Sequence, residues 1–287
     1  MKRLVLVLGA QGQLGEAMAQ HLGEHHELVG WSRAELDLAD PEAISTRVSA
    51  LCPDVIINCA AYNSVDQAQQ EPERALAVNA WAIRTLARTA GELDATLVHY
   101  STDFVFDGAT DRPYREDDPP NPRGTYAVSK LLGEWFAGEV PRHYVLRVES
   151  LFGGPRAKSS VDRMLTAIIA GQEVRAFADR TVSPSYVDDV VRATSELIDG
   201  GHPWGLYHCV NTGWTTWPDL ARELAALAER PDARIAEVRM TDAGLAAPRP
   251  PFAALSNAKL ALAGIEMPTW QDALARYVTR VRNEQRW

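Results

Sequence analysis

Tyr126 and Lys130 stand four residues apart in a segment whose apolar pattern predicts a helix from about Thr125 to Ala137. On a helix that spacing puts both side chains on one face. The chain has 8 tyrosines and four lysines (Lys2, Lys130, Lys158 and Lys259), so random placement would give roughly 0.1 such pairs. A free phenol titrates near ~10 and is a poor acid–base group at neutral pH. An ammonium one turn away favours the phenolate and brings the pKa towards a catalytic range. A helix-surface cation beside a half-buried tyrosine would show the same spacing without chemistry.

Two further groups of residues carry chemistry. Ser101 and Thr102 follow the apolar run Thr96–Tyr100, where a buried strand ends; a hydroxyl there can hydrogen-bond a carbonyl as it becomes an alkoxide. A strand-end turn in which Ser, Thr and Asp bond their own backbone is the competing reading. Gly9, Gly12 and Gly15 follow the strand-like Leu4–Leu8 and precede a helical pattern of Leu14, Met18 and Leu22. Glycines there let the backbone approach a pyrophosphate at a helix N-terminus. The spacing is G-x-x-G-x-x-G and departs from the G-x-G-x-x-G fingerprint; a plain strand–helix turn is the alternative. After the second strand comes Trp31-Ser32-Arg33. A hydroxyl and a guanidinium suit an adenosine 2′-phosphate, so NADPH is expected over NADH. Glu35 and Asp37 remain within reach of a ribose, and an exposed loop arginine is the other reading of Arg33.

These groups need a frame. Apolar strand patterns at 4–8, 28–31, 55–57, 96–100 and 144–146 alternate with helical ones, of which Pro41 opens one. Such alternation builds a doubly wound parallel sheet of Rossmann-like type with helices on both faces. The expected division is a dinucleotide-binding domain over 1–150 and a smaller, mixed substrate-binding domain over 151–287. Segments from about 180 to 210 are expected to return to the first sheet. In the second half, helices are expected around Val161–Ile168, Val187–Ile198, Leu220–Leu227 (capped by Thr216) and Trp270–Val281.

Composition excludes several classes. The chain has 287 residues, 46% hydrophobic and 23% charged, with a net charge of −9. These values fit an ordinary globular protein and argue against nucleic-acid or anionic-membrane binding. No uninterrupted apolar run reaches the ~18 residues of a membrane span. Leu4–Leu8 is too short for a secretory signal. Cys52, Cys59 and Cys209 are odd in number and widely spaced; they read as reduced packing residues of a cytoplasmic protein. No cluster of metal ligands stands out.

Gly9-x-x-Gly12-x-x-Gly15, Tyr126-x-x-x-Lys130 and Ser101-Thr102 together resemble an extended short-chain dehydrogenase/reductase. Asn58–Asp66, Ser101–Phe106 and Gly205–His208 resemble the dTDP-4-dehydrorhamnose reductases of that superfamily, with the likeness running from residue 1 to about 217. The resemblance implies NADPH-dependent reduction of the 4-keto group of a nucleotide-linked 4-keto-6-deoxy sugar. By it, Thr102, Tyr126 and Lys130 form the catalytic trio. Tyr126 would protonate the sugar C4 oxygen, Thr102 would orient the carbonyl, and Lys130 would hold the nicotinamide ribose and lower the tyrosine pKa. The resemblance matches Gly9, Gln11, Gly12, Leu14 and Gly15 to the pyrophosphate loop and Ala60, Ala61 and Tyr62 to the segment along the cofactor; Gln13, Ser32, Arg33, Asp37 and Leu38 are the further cofactor contacts expected from this sequence. Val65, Asp66, Asp103, Phe104 and Leu151 would face the substrate. A monomer or homodimer is expected.

Two departures from the family pattern bear on the sugar. Phe104 stands where the family usually has tyrosine, and Arg147-Val148-Glu149-Ser150-Leu151 stands where it reads Arg-Thr-Ser-Trp. Phe104 and Leu151 are expected to make the pocket more apolar and roomier. The 4,6-dehydratases of the superfamily carry Thr-Asp-Glu, and Phe104 in the glutamate position argues against dehydration. Epimerase activity, or a non-catalytic cofactor-binding regulatory subunit of the same ancestry, remain as alternatives.

Overall fold

The computed structural model describes residues 2–156 and 158–284. In chain order the first half comprises β1 (Leu4–Leu8), α1 (Gln13–Gly23), β2 (Glu27–Trp31), α2 (Pro41–Leu51), β3 (Val55–Asn58), α3 (Val65–Gln70), α4 (Pro72–Leu76), α5 (Ala82–Glu92), β4 (Thr96–Thr102), α6 (Thr125–Ala137) and β5 (His143–Val148). A π-helical turn, Ala77–Trp81, joins α4 to α5. Then follow β6 (Leu151–Phe152), α7 (Ser160–Ile169), β7 (Val174–Phe177), β8 (Thr181–Val182), β9 (Ser185–Tyr186), α8 (Val187–Gly200), β10 (Gly205–His208), β11 (Thr215–Thr216), α9 (Trp217–Leu227), β12 (Ile235–Val238), α10 (Ala258–Leu262) and α11 (Trp270–Asn283).

Six parallel strands form the main sheet in the order β2-β1-β3-β4-β5-β10. Successive side chains on a strand point to opposite faces, and both faces of β1 are covered. Val5 and Val7 pack with Leu14, Met18 and Leu22 of α1 and with Val187, Val190 and Val191 of α8. Leu6 and Leu8 pack with Ile44 and Val48 of α2 and with Ile83, Leu86 and Ala90 of α5. The unbroken apolar reading of Leu4–Leu8 is thus that of a strand buried on both sides. The sheet is Rossmann-like. Its order reverses at β1, and the crevice at the carboxyl ends of β1 and β3 is where such sheets take ligands.

A second apolar cluster joins α7, α9 and α11 around Phe152, Leu165, Trp217, Leu220, Leu274 and Tyr277, beside the parallel pair β7–β12. Thr216 caps α9, accepting from Asp219 N–H, and Asp40 caps α2 just before Pro41. Cys209 is buried in the first cluster, whereas Cys52 is exposed at the C-cap of α2 with φ 52°. Cys52 is therefore not the packing residue expected from its apolar neighbours. A strap over residues 244–257 ties the two regions: Ala247 N–H donates to Asp66, Ala253 N–H to Thr181 O and Ser256 N–H to Tyr114 O. Among the described residues no helix is long and apolar enough to cross a membrane.

Candidate active site

The glycine turn is built for close approach. Gly9 has φ +75°, and a Cβ there would lie 2.9 Å from Ala60 N; at Gly15 it would lie 2.2 Å from Gly9 O. Gly9 N–H donates to Trp31 O at 2.8 Å and Gly12 N–H to Gly9 O at 2.8 Å. Gly12, the N-cap of α1, offers no side chain to the first N–H groups of the helix; they face outward with the positive end of its dipole. The turn borders a cavity of about 410 Å³ lined by Gly9, Gln11, Gly12, Ser32, Arg33, Asp37, Leu38, Ala60, Ala61 and Tyr62. Trp31, Leu36, Arg74 and Val78 also stand in the wall. A cradle with no room for a Cβ, uncapped N–H groups and this volume fit the pyrophosphate and adenosine of a dinucleotide.

The side chains of three loop residues serve the fold, while their N–H groups are the open donors at the start of α1. Gln13 turns its amide to Gly153 O at 2.9 Å, Leu14 lies in the apolar cluster beneath the sheet, and Gly15 serves the contact of α1 with the turn. None of them lines the cavity. In the next loop the Ser32 hydroxyl and N–H both donate to Glu35, at 2.5 and 2.6 Å. These bonds hold the Glu35 carboxyl below its usual range and turn it from the cavity, leaving Asp37 as the carboxylate on the wall. Arg33 is exposed at the rim, 3.3 Å from Asp37.

Helix α6 is fixed against the cofactor-side segment by the buried Asn79. Its amide donates to Tyr62 O at 2.9 Å and to Ser129 Oγ at 3.0 Å, while its carbonyl accepts Tyr62 N–H at 2.8 Å. Gly133 lets the helix pass the π-helical turn, since a Cβ there would lie 2.3 Å from Asn79 O. Lys130 is buried, its Nζ donating to Tyr100 O at 2.5 Å. Burial lowers its pKa to about 8, against the pull of Glu134. Burial also raises the Tyr126 phenol, hydrogen bonding with Thr102 opposes the rise and the Asp103 charge adds to it. The direction is opposite to that expected from Lys130 one turn away: the ammonium is tied to a backbone carbonyl, and desolvation wins.

Thr102, at the carboxyl end of β4, donates to Asp103 Oδ1 at 2.9 Å. The other Asp103 oxygen is 3.3 Å from the Arg180 guanidinium, which lies 5.1 Å from the Phe104 ring centroid. Val65, Phe104 and Tyr126 line one narrow crevice with Ala247, Pro248 and Pro250 of the strap. Two expected substrate contacts are engaged elsewhere. Asp66 is held by Arg249 at 2.6 and 2.8 Å, which keeps its carboxyl below the usual range. Leu151 packs on the apolar cluster beneath the sheet, because its place in β6, paired with Ser185 of β9, turns it to the core. The sequence reading missed Asn79, Glu149, Arg180 and Arg249. Arg180 and Arg249 meet their carboxylates across 77 and 183 residues, a distance that leaves no local pattern. Glu149 lies within the stretch already seen to depart from the family. Among the described residues no three or more His, Cys, Asp or Glu gather to hold a metal ion.

A Rossmann-like sheet with a glycine turn at its switch point and a Tyr–Lys helix beside it defines a dinucleotide-binding protein of the extended short-chain dehydrogenase/reductase type. The RmlD substrate binding domain family matches residues 1–283, and the chain belongs to that family. It is 34% identical over 286 residues to a dTDP-4-dehydrorhamnose reductase of Mycolicibacterium smegmatis, covering 98% of this chain and 86% of that one. It is 32% identical over 277 residues to the spore coat polysaccharide biosynthesis protein SpsK of Bacillus subtilis, covering 96% of each. The crystal structure of dTDP-4-dehydrorhamnose reductase from Bacillus anthracis in complex with NADP superposes with a TM-score of 0.92 at 31% identity, covering 98% of this chain and 100% of that one.

Proposed function

We propose that the protein is an NADPH-dependent reductase of a nucleotide-linked 4-keto-6-deoxy sugar, with dTDP-4-dehydrorhamnose as substrate. One observation carries the reading: Tyr126 of α6 stands at the carboxyl end of β4, its ring 5.5 Å from that of Phe104, two residues beyond Thr102, on the wall of the crevice under the strap. The family and its dTDP-4-dehydrorhamnose reductases support it, as does the NADP-bound relative.

The glycine turn, Ser32, Arg33, Asp37, Leu38 and the 60–62 segment would hold NADPH, which when bound would supply a hydride for the sugar C4. Tyr126 donates its phenolic proton to the C4 oxygen, and the burial that keeps the phenol protonated suits a donor. Thr102 orients the carbonyl oxygen, and Lys130 holds the nicotinamide ribose hydroxyls. Val65 and Phe104 border the sugar, while Asp103, expected there too, stays buried behind Thr102. Residues 1–150 with the returning α8 and β10 bind the cofactor; the rest chiefly binds the nucleotide sugar. We place the protein in the cytoplasm as a monomer or homodimer.

The test is NADPH oxidation on adding dTDP-4-dehydrorhamnose, repeated with NADH and with GDP- and UDP-linked 4-ketosugars, the product configuration being read by NMR. Steady NADPH consumption is expected. Tight NADPH binding with no consumption on any of these sugars would instead mark a non-catalytic cofactor-binding subunit.

A further inference from the structure

Behind Thr102 lies a cluster that the reduction as described does not use. Asp103 and Glu149 are both buried, and Asp103 reaches Arg180 at 3.3 Å. Glu149 accepts Ser183 N–H through Oε2 at 2.6 Å. Its Oε1 and the Arg180 Nε are buried and, among the described residues, have no hydrogen-bond partner. The other charged groups nearby are satisfied in their own contacts. Lys130 is on Tyr100 O, Arg147 and Ser101 are on Glu134, and Arg249 is on Asp66. Thr102 of β4 pairs with Val148 of β5, so Asp103 and Glu149 leave the sheet on neighbouring strands; two ionised carboxylates with the one guanidinium of Arg180 there would leave an unneutralised charge in a desolvated space, and one shared proton removes it. Both carboxyls are accordingly held above their usual range, burial being the main cause; for Glu149 the Asp103 charge is the second.

Resting on the reductase reading, we propose that Asp103 and Glu149 store one proton and return it through the Thr102 hydroxyl to Tyr126 after each reduction. The Tyr126 O–H bond breaks as its proton passes to the sugar C4 oxygen. The phenolate then takes the Thr102 hydroxyl proton, and the Thr102 oxygen, which donates to Asp103 when that carboxyl is ionised, takes the acid proton of Asp103 across the same 2.9 Å contact with the donor reversed. One O–H bond forms for each that breaks, nothing is oxidised in the relay, and the pair regains its proton from solvent between turnovers. Asp103 and Glu149 act through Thr102 and are positioning residues for the proton.

Glu149→Gln keeps the side chain's size and leaves Asp103 ionised against Arg180. In rapid mixing of the full-length variant with NADPH and ketosugar, the first equivalent of NADPH per site should be oxidised at the wild-type rate, because Tyr126 starts protonated. The steady state that follows should be roughly tenfold slower and recover as pH is lowered, with Glu149→Asp restoring the wild-type profile. Infrared spectroscopy of the protein without substrate gives an independent readout. The C=O stretch of a protonated carboxylic acid should be present in wild type at neutral pH and lost in both Glu149→Gln and Asp103→Asn. A band that persists in both variants, an unchanged steady state, or a first turnover slowed as much as later ones would overturn the proposal. If wild type oxidises no NADPH with any ketosugar, the reductase reading fails, while the infrared band still reports whether the pair holds a proton.

Discussion

Phe104 stands edge-on to Tyr126, ring centroids 5.5 Å apart and planes at 87°. An edge-to-face pair of this kind is favourable beyond simple area burial, and here it walls one side of the phenol with carbon. The Arg180 guanidinium near the Phe104 ring fixes it in turn. A half-buried tyrosine whose surroundings raise its pKa is set up to give a proton rather than to take one.

Tyr126→Phe removes that proton and nothing else of size. Turnover should fall by roughly 10²–10⁴-fold, while NADPH binding, followed by nucleotide fluorescence, should be nearly unchanged. Near-normal turnover would remove Tyr126 from the chemistry.

Lys130 carries its charge only below about pH 8 in the folded protein, against 10.5 for a free lysine. Its folded pKa is lowered, so between these values the unfolded chain binds a proton that the native state does not, and stability rises with pH across that window. NADPH affinity, which draws on the ammonium, should fall across the same window. Lys130→Met should abolish both trends, flattening the unfolding free energy between about pH 8 and 10.5 and leaving cofactor binding weak at every pH. Urea unfolding and NADPH titration over a pH series check the two signs separately.

Arg33 lies at the cavity rim, its side chain 70% exposed and 3.3 Å from Asp37. If it receives the adenosine 2′-phosphate, Arg33→Ala should weaken NADPH by roughly ten- to a hundredfold and leave NADH unchanged. Asp37→Asn removes the charge that competes for Arg33 and should shift the preference further towards NADPH over NADH. Equal effects of Arg33→Ala on the two cofactors would reduce Arg33 to a loop cation.

The two departures from the family pattern should separate on mutation. Phe104→Tyr adds a hydroxyl in the crevice beside Tyr126 and should raise kcat/KM for dTDP-4-dehydrorhamnose several-fold, in line with about 0.5–1.5 kcal/mol for a hydrogen bond. Leu151→Trp should instead cost about 1–3 kcal/mol of stability by overpacking the core, with little change in KM. Parallel kinetics and thermal melts would show whether Leu151 faces sugar or core.

Where the chemistry rests on residues close in sequence, the chain was readable. The strand–glycine–helix order around Gly9 and the four-residue step from Tyr126 to Lys130 are local, and local spacing fixes which face of an element a side chain takes. The alternating strands and helices likewise gave the doubly wound sheet, because each must bury its own apolar face. What stayed hidden was the competition among partners. Nothing near Asp66 announces Arg249, and nothing near Lys130 announces that Tyr100 O will hold its ammonium. Leu151 was misplaced for the same reason, since its direction is set by pairing with β9. The π-helical turn that delivers Asn79 leaves no periodic mark in so short a stretch.

The strand β10 lies at the edge of the main sheet, beside β5, although 56 residues (149–204) intervene. During synthesis, β5 therefore emerges with one row of backbone groups open until Gly205–His208 arrives, and α1 waits for α8 to cover the other side of its groove. A fragment ending near residue 150 would keep that open edge permanently, a template for pairing with other copies. Completion of the main sheet is thus tied to the arrival of β10, and the sheet behind the glycine turn closes only once most of the chain has left the ribosome.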